Sequence, residues 1–240
     1  MEENNNNNEN ITNEVATKNS DMIPFNALIK FKKCICNVKT KNGSGTGFLI
    51  KIQRKENKKK QKKMFHCLIT CEHVIEESYI KNKKEITIQY DYNENKFQKL
   101  SIKLNEYKRF IRGYQYLGID ATVVQIMEDE IKDEYFYFID ENNIDILKEF
   151  NENYQKYKEK QIFIFQIPGT DNNMIYSTGT ICSRIDLNRF YHNSSTEAGS
   201  SGSPILFYSG DKINIIGIHK GGKDKKKQML EILFKSLLNH

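Results

Sequence analysis

161-QIFIFQI-167, 174-MIYSTGTICSRI-185, 203-SPILFY-208 and 213-INIIGIH-219 follow one another as short apolar runs separated by polar residues. Each is too short for a typical helix, and the runs alternate with period two or are rich in β-branched residues, so they read as strands. Working outward, an earlier group has the same character: 28-LIKFKKCICNV-38, 46-TGFLIKI-52, 65-FHCLIT-70, 86-ITIQY-90, 100-LSIKL-104 and 121-ATVVQI-126. The acidic, Tyr-rich stretch between the groups, residues 129–160, suits a helix or a long connection. Two sets of about six strands predict an all-β chain of two antiparallel six-stranded β-barrels, over residues 21–128 and 161–222. In the tail, residues 223–240, Met229, Leu230, Leu233, Leu237 and Leu238 fall near helical spacing, which predicts a C-terminal amphipathic α-helix. Residues 1–20 hold eight Asn and almost nothing large and apolar, so the segment is expected to be disordered.

The chain has 240 residues, 38% hydrophobic and 28% charged, with three Pro and no Trp, enough to bury a real core. No apolar run reaches the length of a membrane span, and the opening MEENNNNNEN lacks the basic-then-apolar pattern of a secretory signal. A cytoplasmic location is the expectation. Five cysteines, Cys34, Cys36, Cys67, Cys71 and Cys182, sit mostly inside apolar runs, which points to free thiols rather than a disulfide framework or a zinc site. The net charge of +6 has a local origin: residues 51–63, KIQRKENKKKQKK, carry +7, leaving −1 for the rest. Such a run reads as a solvated loop, and no nucleic-acid module surrounds it.

The sharpest chemical signal is 199-GSSGSP-204, a serine between glycines ahead of an apolar strand. A nucleophilic hydroxyl needs a tight exposed turn with backbone N–H groups converging on the oxyanion. A plain Ser/Gly loop would look the same. In 69-ITCEHVI-75 a strand-like run ends at His73, the type of base a serine needs; a lone histidine there can equally be structural. In 118-GIDATVVQI-126, Asp120 precedes a buried-looking strand, where a carboxylate needs a partner such as an imidazole N–H, or serves only as a strand-start cap.

Together, in the order His, Asp, Ser, these motifs resemble the trypsin-like (chymotrypsin-fold) serine peptidases. The resemblance takes in 43-GSGTGFLI-50 and 217-GIHKGG-222 and spans roughly residues 28–238. It implies Ser201 as nucleophile, His73 as base and then acid, Asp120 as orienting carboxylate, and the N–H groups of Gly199 and Ser201 as the oxyanion hole. It implies a protein or peptide substrate, and neither metal nor cofactor. Two departures from the secreted enzymes stand out: Val74 replaces a half-cystine, and Ser200 replaces the aspartate that pairs with a freshly cleaved N-terminus. Ser-Gly-Ser-Pro and Gly-Ile-His are similar to the glutamyl endopeptidases. That likeness implies a primary pocket with Ser195 at its base and Thr196 and His219 gripping glutamate or glutamine, with Glu197 close by. The alternatives are an inactive relative that only binds a protein or polyanion, or a pocket for small or apolar groups.

Overall fold

The computed structural model describes residues 23–55, 62–93, 96–115, 118–169, 173–186, 189–221 and 226–229. The chain opens with helix α1 (Phe25–Lys32), entered from Pro24 and ended by Lys30 and Lys32, whose charge suits the helix C-terminus. The strand expected from residue 28 therefore begins only at Ile35. Ala27, Leu28 and Phe31 all face the core, and their three- and four-residue spacing is helical, although the apolar run continues without a break into the strand.

Eight strands form the first sheet: β1 (Ile35–Thr40), β2 (Gly43–Lys55), β3 (Lys62–Thr70), β4 (Glu85–Asn93), β5 (Lys96–Lys103), β6 (Ile111–Gly113), β7 (Thr122–Gln125) and β8 (Tyr137–Ile139). Their order is β5-β4-β1-β2-β3-β7-β6, with β8 added in parallel on β2. Helix α2 (Glu77–Lys81) lies between β3 and β4. Among the described residues no pairing joins the outer strands β5 and β6, so this half is a curled, incompletely closed barrel of more than six strands. Helices α3 (Glu141–Glu152) and α4 (Tyr154–Tyr157) fill the connection.

The second half is a closed antiparallel barrel of six: β9 (Gln161–Gln166), β10 (Ile175–Asp186), β11 (Arg189–His192), β12 (Pro204–Ser209), β13 (Lys212–His219) and β14 (Lys226–Met229). β14 corrects the expected tail helix. Residues 226–229 pair with both β11 and β13 and close the barrel, which thus extends past residue 222. The remainder of that helix, residues 230–240, lies outside the described residues, as does the N-terminal segment 1–20 expected to be disordered. The Lys-rich run forms the arms of the β2–β3 hairpin as far as Lys55↔Lys62; residues 56–61 lie outside the description. All five cysteines are free thiols, four of them buried. Among the described residues no helix is long and apolar enough to cross a membrane.

Candidate active site

β3 and β7 are antiparallel neighbours with Thr70 opposite Thr122. The register alone therefore places the residues just after β3 beside those just before β7. A tight turn, in which the Val74 and Ile75 N–H groups donate to the Cys71 carbonyl, carries His73 past the strand end. Asp120 sits across from it, buried. Its Oδ1 accepts the His73 backbone N–H at 3.0 Å, and its Oδ2 lies 2.7 Å from His73 Nδ1. A carboxylate bound at both points holds the ring with its proton on Nδ1 and leaves Nε2 as an acceptor. The imidazole is 45% exposed.

Ser201 comes from the loop entering β12. Gly199 and Gly202 adopt φ of +93° and +94°, a conformation side chains resist. At Gly202 there is also no space, since an added Cβ would fall 1.9 Å from the Thr46 carbonyl. The loop is held from three sides. The Gly202 N–H donates to the His219 carbonyl (2.7 Å), the Thr46 N–H donates to the Ser201 carbonyl (2.8 Å), and Thr46 Oγ1 donates to the Gly199 carbonyl (2.9 Å). Thr46 Oγ1 in turn accepts the Ile167 N–H at 3.0 Å, so one residue of β2 fastens the first sheet to the second barrel. The buried Ser200 hydroxyl donates to Gln166 Oε1, and Gln166 Nε2 donates to the Ser195 carbonyl at 3.0 Å. Among the described residues, the N–H groups of Gly199 and Ser201 have no acceptor inside the protein.

His73 and Ser201 line one cleft of about 250 Å³, together with Ser44, Val74, Glu76 and Tyr79. Ser201 Oγ donates to the Lys220 carbonyl at 3.2 Å. Gly221, at φ +71°, permits this approach, because a Cβ there would lie 2.6 Å from Ser201 Oγ. The Lys220 side chain continues to Asp120, with Nζ 3.6 Å from Oδ2. Burial alone would raise the Asp120 pKa, but the His73 hydrogen bonds and the electrostatic attraction of His73 and Lys220 outweigh it and hold the carboxyl below its ordinary value. Glu72 shifts the opposite way: burial raises it, and Asp120 adds like-charge repulsion. Cys71 Sγ, a His73 ring nitrogen and an Asp120 oxygen lie within 4.8 Å of one another, a possible metal set. Here, however, His73 and Asp120 bind each other directly and Cys71 donates to the His219 carbonyl at 3.3 Å.

The three residues of the expected primary pocket are placed differently from one another. His219 is buried on β13, Thr196 is half-buried and Ser195 is exposed. His192, which sequence reasoning passed over, packs its ring 5.7 Å from that of His219, and its Nδ1 accepts the Ser194 N–H at 3.1 Å. No spacing signal marks His192, whereas Thr46 and Lys220 both stand inside motifs already quoted, each beside glycines.

The architecture resembles several solved structures at low sequence identity, and these likenesses speak to the fold. The crystal structure of Deg5 matches with a TM-score of 0.55 at 13% identity, over 88% of this chain and 90% of that one. The serine endoprotease from Yersinia pestis matches at 0.54 and 14%, over 93% of this chain and 66% of that one. Catalytically inactive tobacco etch virus protease complexed with substrate matches at 0.51 and 14%, over 86% and 84%. No curated protein sequence matches the chain. Residues 45–218, from the glycine before Thr46 to the residue before His219, match the family described as a trypsin-like peptidase domain. With its two β-barrel halves meeting at the His73–Ser201 cleft, the chain belongs to the trypsin-like peptidase domain family.

Proposed function

We propose that the chain is a serine endopeptidase working through an acyl-enzyme. The observation that carries this reading is the cleft in which an Asp120-bound imidazole faces the same space as Ser201. When a peptide enters, Ser201 Oγ leaves the Lys220 carbonyl, passes its proton to His73 Nε2 and bonds to the substrate carbonyl carbon. The resulting oxyanion takes the Gly199 and Ser201 N–H groups. The imidazolium, stabilised by Asp120, returns the proton to the leaving amine as the C–N bond breaks, and water repeats the sequence to release the acid. The resting bond from Ser201 to Lys220 also fits a second reading, a binding-only domain. Labelling by a fluorophosphonate separates the two. Modification of the wild type but not of Ser201→Ala supports the peptidase, and an unreactive wild type supports the binding domain.

For specificity we propose glutamate or glutamine before the scissile bond. In this reading buried His219, whose ring packs against that of His192, and the half-buried Thr196 would grip that carboxylate or carboxamide through an imidazole and a hydroxyl. Exposed Ser195, with its carbonyl already bound to Gln166, supplies no negative charge to anchor Lys or Arg. Peptides differing only in Glu, Gln, Lys, Leu or Ala at that position test this. A preference for Lys or Leu, or a His219→Ala enzyme with unchanged selectivity, rejects it. Five free thiols favour a reducing compartment, in line with the cytoplasmic expectation.

A further inference from the structure

Gln166, the last residue of β9, is buried and turns both ends of its side-chain amide to the loop that carries Ser201. Nε2 donates to the Ser195 carbonyl at 3.0 Å and to Ser177 Oγ at 3.2 Å, while Oε1 accepts the hydroxyl of buried Ser200. A carbonyl can only accept, so Ser195 fixes which way the amide faces. Ser200 Oγ also accepts the Glu197 N–H at 3.2 Å. Three residues beyond Gln166, the Gly169 N–H donates to the Ala198 carbonyl at 3.0 Å. We propose that Gln166 is a positioning residue that holds residues 195–201 in the form leaving the Gly199 and Ser201 N–H groups open to an oxyanion, so that the hole stands assembled before substrate arrives and through neutral bonds alone. This rests on the reading of Ser201 as the nucleophile.

Peptide planes set the direction of those N–H groups. The described peptide bonds are trans, and in a trans unit the C=O and N–H point to opposite sides. The unit carrying the Gly199 N–H also carries the Ala198 carbonyl, which Gly169 binds. The unit carrying the Ser201 N–H also carries the Ser200 carbonyl, which accepts the Ser203 N–H at 3.0 Å. With both carbonyls tied inside the protein, both N–H groups face the other way, and turning either unit over would break its bond. What is left to the loop is a swing of the whole stretch. Gln166 removes it by joining Ser195 at one end to Ser200 at the other. No charge has to be desolvated to make this joint, since amide, hydroxyl and carbonyl are all neutral.

The test compares wild type, Gln166→Met, which keeps the length but not the bonds, Ser200→Ala, and the two combined. The rate constant for fluorophosphonate labelling is expected to fall roughly ten-fold in each single variant. The double variant should be no slower than the slower single one, because both changes break the same joint. On a peptide, Ser200→Ala is expected to lower kcat with KM within about two-fold of wild type, as the bond to Ser195 survives, whereas Gln166→Met should also raise KM. Amide hydrogen exchange reads the loop without turnover. The Ser200 and Ser203 N–H groups should lose protection in the variants while β9 and β12 keep theirs, an outcome that a role in packing alone would not give. If Gln166→Met does not fold, Ser200→Ala carries the exchange and kcat comparisons. Additive losses in the double variant, unchanged loop exchange, or exchange that quickens throughout the second barrel would each overturn the proposal. A wild type inert to fluorophosphonate would reject the peptidase reading instead, and the exchange comparison would still decide whether Gln166 holds the loop.

Discussion

Single atoms decide most at Gly202, where a Cβ would overlap the Thr46 carbonyl and crowd Thr70 Oγ1 at a φ of +94°. Gly202→Ala should cost about 3 kcal/mol or more, read as a lowered urea midpoint, with Ser201 displaced and probe labelling lost. Thr46→Val keeps the shape but strips the Gly199 carbonyl and Ile167 N–H of a partner, so a loss of about 1–3 kcal/mol is expected, together with a slower reaction at Ser201. Asp120 supplies a pH dependence of defined sign. Its folded pKa lies below the ordinary carboxylate value, so its contribution is complete above about pH 4, the unfolded range, and fades as pH falls through the folded value. Urea melts from pH 7 to pH 3 should therefore fall less steeply for Asp120→Asn than for the wild type; parallel curves would show that Asp120 adds nothing to acid stability.

Among the elements, α3 shows how a helix is fixed to the body. Asp140 caps it, accepting the Asn143 N–H at 3.1 Å, while Asn143 returns the bond and reaches Asn214 on β13 at 2.9 Å. Asp140→Ala should cost about 1 kcal/mol by loss of the cap. Asn143→Ala should cost more in the same denaturation assay, since it leaves the buried Asn214 oxygen unpaired. The β2–β3 hairpin behaves differently: Ile52↔Phe65 pairs two buried residues, the next rung joins exposed Gln53 to half-buried Met64, and the backbone pairing continues through the Lys-rich arms. Replacing residues 53–63 by Asn-Gly should leave the melting temperature and labelling of Ser201 nearly unchanged, and loss of folded protein would show that these arms are structural. What could be read from sequence followed the same division. Strands such as β9, β12 and β13 were legible because both neighbours and both faces bury them. The site motifs were legible because glycines and a lone histidine interrupt such runs. α1 was hidden because its few core contacts continue into β1. β14 was hidden because KKQM carries no strand alternation, and only its neighbours β11 and β13 define it. Lys220 and Thr46 lay in plain view, but their partners come from the other half of the chain, a relation no local pattern records.

Across the whole molecule the cleft belongs to neither half, and the Thr46 bonds span it. The thiols report on the integrity of this assembly. Cys34, Cys36, Cys67 and Cys71 are buried, and burial pushes Cys34 up to about 12, whereas Cys182 is partly exposed. A thiol reagent should titrate about one equivalent rapidly in the native protein and all five in denaturant; rapid reaction of several in the native state would mean that the core opens. The closing strand of the second barrel has a further consequence, for manufacture on the ribosome. Every strand that β14 bridges, and the Ser201 loop itself, is translated before β14 is. At about 5–20 residues per second, that leaves an interval in which β11 and β13 have emerged with open edges. During it the loop lacks its finished support, so the nascent chain should stay unreactive toward fluorophosphonate at Ser201 until Lys226–Met229 has joined β11 and β13, and the proposed activity would then be born whole.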